Sequence, residues 1–201
     1  MKESYITISS PARANLREKG SKFFSFAFPV QQESDIRTQL ELLKKEYFDA
    51  THHCYAWMLG PEGIKFRAND DGEPNHSAGD PILGQIRSRG LTNILIVVVR
   101  YYGGTNLGVS GLIKAYKGAA SLALDQAALM EVEVMEQIKI TFGYDELPVV
   151  MRLLKQESIK IIKQETDQQC LLFVDAPLRK HLPIKLEALK INGKKIQFEK
   201  A

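Results

Sequence analysis

Two segments of the 201-residue chain concentrate the residue types that do chemistry. The first runs Arg67-Ala68-Asn69-Asp70-Asp71-Gly72-Glu73-Pro74-Asn75-His76-Ser77-Ala78-Gly79-Asp80-Pro81. Asp70, Asp71 and Glu73, followed by His76, could hold a hard cation or serve as general acid and base. The opposing reading is structural. Asp and Asn beside Gly and Pro build turns through side-chain to backbone hydrogen bonds, and such carboxylates pair with nearby arginines. Glu73 follows Asp70 too closely for a calcium loop. A rigid, shaped loop is therefore expected, with no metal and no cofactor assigned.

The second segment carries Arg100-Tyr101-Tyr102-Gly103-Gly104-Thr105-Asn106-Leu107-Gly108 and continues through Ser110 and Gly111 to Lys114 and Tyr116. A strand, a glycine-rich turn and a helix start make a place where an anion can sit, since free N–H groups and the helix dipole point at it. The spacing is neither G-x-G-x-x-G nor the P-loop. The alternative is a tight connection in which Gly103 and Gly104 supply positive φ and Gly108 and Gly111 permit close packing. Upstream, His52 and Cys54 share one face of a strand and His53 points to the other. Two ligands do not complete a zinc site, so a buried cysteine with satisfied histidines is expected. Tyr55, Trp57, Tyr101 and Tyr102 are either core residues or stacking surfaces for bases.

The elements that must position these residues follow from hydrophobic period. Residues 4–30 alternate as strands, with Phe23, Phe24, Phe26 and Phe28 in one run. Ser34 is placed to cap a helix whose Ile36, Leu40, Leu43 and Tyr47 share a face. Residues 52–59 and 63–68 form a strand pair turned at Gly60-Pro61-Glu62-Gly63. The loop from Asn69 leads into a short helix ending near Arg89. Residues 93–102 read as a strand buried on both faces, and an alanine-rich helix spans about 110–129. The pattern then restarts: a strand over 132–142, a helix around Leu147–Leu154, strands at 159–165 and 169–175, a helix near 178–190 and a last strand at 194–199. That order is β-α-β-β-α-β, the ferredoxin-like split. Pro183 must lie in the first turn of its helix or mark a kink. We expect two domains, 1–130 and 131–201.

Composition sets limits. Apolar residues make up 44% and charged residues 25% of the chain, ordinary for a globular protein. No run approaches the roughly 18 apolar residues of a membrane helix, and the N-terminus lacks a signal-peptide pattern. A cytoplasmic protein is expected, with Cys54 and Cys170 as reduced, buried thiols. The Asn75-His76-Ser77 sequon is then a chance match. Net charge is only +3, and neither side of residue 130 is a basic domain (15 basic against 13 acidic residues, then 12 against 11). A local excess of Arg179, Lys180, Lys185, Lys190, Lys194 and Lys195 is either a phosphate-facing patch or a solvated helix face.

These motifs resemble the YigZ/IMPACT family. The resemblance lies in Asp70-Asp71-Gly72-Glu73-Pro74, in Ser77-Ala78-Gly79 with Pro81-Ile82, and in Arg100-Tyr101-Tyr102-Gly103-Gly104 with Leu107-Gly108, Gly111-Leu112 and Ala115-Tyr116. His53-Cys54 with Ala56 extends it upstream. The chain departs from the usual pattern at His76-Ser77, Asn106, Ser110 and Lys114, and Asn106 removes a cation from the glycine turn. The resemblance implies an α+β fold of two domains: first a ribosomal-protein-like β-α domain similar to domain IV of elongation factor G, then a ferredoxin-like domain similar to its domain V. Eukaryotic relatives restrain a kinase that phosphorylates initiation factor two; the short two-domain form looks bacterial, where that kinase is absent.

Three functions stay open. The chain is a non-enzymatic regulator that binds RNA, the ribosome or translation factors; or a protein-interaction module; or an enzyme acting on a phosphorylated small molecule. The candidate binding residues are Arg67, Asp70, Asp71, Glu73, His76, Ser77, Arg100, Tyr101, Gly103, Gly104, Gly108 and Lys114. No catalytic residue is assigned.

Overall fold

Strict alternation along one strand sets up the first sheet. In Ser21–Pro29, residues Ser21, Phe23, Ser25 and Ala27 are buried on one face, while Phe24, Phe26 and Phe28 are half-buried on the other. The computed structural model describes residues 2–201. Its chain forms two compact units, the first ending at Val132 and the second beginning at Glu133. The first contains β1 (Ser4–Ile8), β2 (Ala12–Glu18), β3 (Ser21–Pro29), α1 (Glu33–Glu46), β4 (His52–Leu59), β5 (Lys65–Asn69), α2 (Gly79–Ser88), β6 (Ile94–Tyr101), α3 (Gly108–Asp125) and β7 (Leu129–Glu133). Five strands pair in the order β2-β3-β6-β4-β5, every neighbour antiparallel, and β1 pairs with β7 separately.

β6 is buried on both faces, as its unbroken apolar run requires. Its Ile94, Ile96 and Val98 join the core made with α2 and α3. Leu95, Val97 and Val99 join the core made with α1 on the other face. Ala115, Ala119, Ala120 and Ala123 line the buried face of α3, and their small side chains let the helix lie close on the sheet. The α1 cap falls at Gln32 and not at Ser34. The Asp35 carboxylate reaches back to the N–H groups of Gln31 and Gln32 at 2.9 and 3.2 Å, closing a capping box two residues earlier.

The second unit contains β8 (Met135–Phe142), α4 (Leu147–Gln156), β9 (Lys160–Thr166), β10 (Cys170–Pro177), α5 (Leu182–Ile191) and β11 (Ile196–Lys200). The sheet order β11-β8-β10-β9, antiparallel throughout, is the ferredoxin-like arrangement. The strand expected over 132–142 divides at Val134. Residues before it pair with β1, and those after it pair with β10 and β11. The helix expected from 178 also starts later. Leu178–Lys180 form a single 3-10 turn, left-handed His181 (φ 48°) breaks it, and Pro183 then lies in the first turn of α5. The chain is thus a mixed α/β protein. No helix among the described residues is long and apolar enough to cross a membrane.

A core position and a surface position should separate clearly in urea unfolding. Ile96 is fully buried, so Ile96→Ala is expected to lose about 2–5 kcal/mol. Ile64 is 77% exposed, and Ile64→Ala should stay within about 0.5 kcal/mol of the parent. Equal midpoints for the two would contradict the burial of β6.

Candidate functional site

The period of β6 decides which motif side chains can meet. Arg100 continues the face of Ile96 and Val98, toward α2 and α3, whereas Tyr101 continues the face of Val97 and Val99. Arg100 is 5% exposed and Glu73 is 8% exposed. The Arg100 Nη1 donates to Glu73 Oε1 at 2.5 Å, and the Tyr116 hydroxyl from α3 donates to the same oxygen at 2.7 Å. Arg100 Nη2 reaches Ser21 Oγ at 3.3 Å, while its guanidinium lies over the rings of Phe23 (5.5 Å) and Tyr102 (5.6 Å). The two motif segments are therefore joined through a buried ion pair.

Around that pair Asp70, Asp71 and Ser77 of the first motif are also engaged internally. Asp70 acts as a remote cap: Oδ1 accepts from Ala78 N–H and Gly79 N–H at the start of α2 (2.9 and 2.8 Å), and Oδ2 accepts from His76 N–H (2.8 Å). Burial pushes the Asp70 carboxyl up, but these three donors outweigh it and hold it below the usual carboxylate range. Asp71, left-handed at φ 42°, accepts from His53 N–H through Oδ2 at 2.6 Å, and its carbonyl accepts from His52 Nδ1 at 2.8 Å. Ser77 is fully buried and donates to Pro74 O at 2.6 Å. The Cys54 thiol lies 3.0 Å from Asp70 O and 3.3 Å from the Tyr116 hydroxyl. Burial raises both Cys54 and Tyr116 far above their ordinary values, so neither is a ready nucleophile. Burial also lowers His53, against the opposing pull of Asp71.

The glycine turn offers fewer free donors than its composition suggests. Tyr102 N–H donates to Thr51 Oγ1 (3.1 Å), Gly103 N–H to Ser21 Oγ (3.2 Å) and Gly108 N–H to Asn106 Oδ1 (2.9 Å). A Cβ on Gly103 would stand 1.9 Å from the Gly20 carbonyl carbon. Only glycine lets the β2–β3 turn and the 102–107 turn lie against each other. Gly104 and Gly108 are exposed at positive φ.

The remaining candidates spread out. Arg67 is exposed on the edge strand β5, opposite Trp57. His76 is exposed, with Nδ1 2.6 Å from Asp80 Oδ2. Tyr101 lies on the α1 face, donates to Asp49 Oδ1 at 2.6 Å and is thereby pushed up to about 12. Lys114 is exposed on α3. Ser21 and His52 were absent from the candidates, although both touch the cluster. His52 was within reach, because strand parity puts it beside Cys54. Ser21 was not, since its contact with Arg100 depends on sheet order.

Known proteins bear out the family resemblance. A family model described as the Impact N-terminal domain matches residues 19–124, which include both motifs. The chain is 33% identical over 180 residues to IMPACT family member YigZ of Escherichia coli, covering 89% of this chain and 88% of that protein. It is 31% identical to IMPACT family member YvyE of Bacillus subtilis, covering 78% and 72%. A crystal structure of a hypothetical protein, 30% identical, superposes with a TM-score of 0.77 and covers 100% of this chain and 98% of that one.

Two outcomes test the cluster. Glu73→Gln leaves a buried guanidinium without its carboxylate and should lose about 3–5 kcal/mol in urea unfolding. Glu73→Leu combined with Arg100→Met should recover most of that loss. Asp70→Ala should lose about 1–2 kcal/mol at neutral pH. Because the folded Asp70 pKa is depressed, its ionic contribution is present at neutral pH and is lost as pH falls through the folded value. The gap between Asp70→Ala and the parent should therefore narrow on acidification; a gap unchanged down to pH 2 would refute the capping role.

Proposed function

From the premise that this chain belongs to the IMPACT family, we propose that it is a non-enzymatic, translation-related protein that binds structured RNA, such as tRNA or the ribosome. Its binding surface is the rim of the first unit formed by the β2–β3 turn, the 102–107 turn and the start of α3. One observation carries this reading. Asp70, Asp71 and Glu73 are bonded to backbone groups and to Arg100, while Arg17, Lys19, Lys22 and Lys114 stay exposed and form no ion pair among the described residues. Arg17 stands directly opposite Lys22 in the β2–β3 register. Lys114 lies one helical turn before Gly118, whose position faces Leu16 of β2. Arg17, Lys19 and Lys22 thus gather at the β2–β3 turn beside the Gly20–Gly103 contact, with Lys114 on α3 at the other face of the sheet. Unneutralised cations on a rigid rim suit a phosphate backbone, and they make affinity salt-dependent.

The motifs supply the framework of this surface and few of its contacts. Raised Cys54 and Tyr116 and a capping Asp70 favour binding over catalysis. A protein partner is the second reading, favoured by Val109 and Ile113, which are 53% and 37% exposed at the start of α3. In this reading residues 1–130 form the binding domain, 131–201 a ferredoxin-like second domain, and the protein works in the cytoplasm.

Binding of the purified protein to total tRNA and to ribosomes should be measured across 50–200 mM salt. The parent should bind with an affinity that falls steeply with salt. Lys19→Ala combined with Lys114→Ala should weaken binding and flatten the log–log slope by about 1.4–1.8, from the loss of two phosphate contacts. No binding by the parent would exclude RNA and leave the protein-partner reading.

A further inference from the structure

On the α1 face, the end of the first sheet holds a second feature that the motifs do not describe. A cavity of about 400 Å3 is lined by Gly20, Lys22, Phe24, Tyr47, Tyr101 and Tyr102. Strand alternation brings Lys22 and Phe24 to this face, opposite Ser21 and Phe23 of the buried cluster. Phe24 stacks on Tyr47 at 5.8 Å with 29° between planes, and meets Tyr101 edge to face at 6.0 Å. Asp49 holds the Tyr101 hydroxyl at 2.6 Å. The aromatic floor is therefore fixed before anything binds. Tyr102 is 52% exposed, with its ring backed by the buried Arg100 guanidinium.

Charge decides what fits. Lys22 lines the cavity and Arg17 faces it across the strand pair, both without an ion-pair partner among the described residues. Like charges directly opposite are unfavourable on their own, and a polyanion laid across them would remove that repulsion. The nearby carboxylates do not neutralise them. Asp49 is held by Tyr101, Glu46 interacts with the Tyr47 hydroxyl, and Glu18 stands opposite Ser21 in the register. Aromatic rings beside free cations are the arrangement that holds single strands, with bases stacked and phosphates on the charges.

We infer that this cavity seats an unpaired base of single-stranded RNA, stacked against Tyr102 and Tyr101, with the adjoining phosphates on Lys22 and Arg17. The inference rests on the RNA-binding reading and names the part of the RNA that the protein prefers. A base within a duplex presents no open face for stacking, so unpaired segments are selected.

Fluorescence anisotropy with a labelled twelve-nucleotide oligoadenylate, free or annealed to its complement, tests this on the intact chain. The parent should bind the single strand at least tenfold more tightly than the duplex. Tyr102→Ala should lose about tenfold on the single strand with the salt slope unchanged, and Tyr102→Trp should restore affinity. Lys22→Ala should lower the slope by about 0.7. Urea midpoints identify any variant that fails to fold; if Tyr102→Ala does, Lys22→Ala decides. Parent-like affinity and slope in the Tyr102→Ala and Lys22→Ala variants that fold, while ribosomes still bind, would overturn the cavity and spare the RNA reading. Equal affinity for strand and duplex would do the same. No binding of any RNA by the parent would overturn both.

Discussion

The Glu73–Arg100 ion pair is the constraint on which the first unit depends. Both side chains are almost fully buried, and burying two charges is unfavourable unless they are paired and further hydrogen-bonded. Here the second donor to Glu73 is Tyr116, and the second acceptor for Arg100 is Ser21. The pair therefore links four separate pieces of chain: the loop before α2, the end of β6, the middle of α3 and the β2–β3 turn. Apolar replacement of such a pair is often neutral in stability, so what it contributes here is the connection between those pieces.

That view changes how the family's motifs are understood. Asp70, Asp71 and Glu73 look like an acid site when read along the chain. In space, Asp70 caps a helix, Asp71 accepts from the backbone of β4, and Glu73 neutralises an arginine. The glycines perform a similar task, since Gly103 exists to let Gly20 approach. Of the four cations proposed to bind RNA, only Lys114 lies within a motif. In the function proposed above, binding is displaced from the residues that define the family to the rim they hold in place.

Much of this was legible from sequence. Alternation predicted β3, an unbroken apolar run predicted β6, and the β-α-β-β-α-β order of the second unit appears as read. The misplaced boundaries have local causes: a carboxylate reaching back from Asp35, a change of strand partner at Val134 and a left-handed residue at His181. The candidate site was less legible. Strand parity puts Arg100 and Tyr101 on opposite faces of β6, as it separates His52 and Cys54 from His53 on β4. Ser21 could not have been found, because no local pattern says that β3 pairs with β6. The cations of the β2–β3 turn lie close in sequence, but only the sheet register shows Arg17 directly opposite Lys22.

Hydrogen–deuterium exchange on Glu73→Gln tests most directly whether one ion pair holds the rim. The account predicts faster exchange in three segments together, residues 18–22, 70–79 and 100–107, with the second unit unchanged. Faster exchange confined to 70–79 would contradict it, because the pair would then anchor its own loop and nothing more.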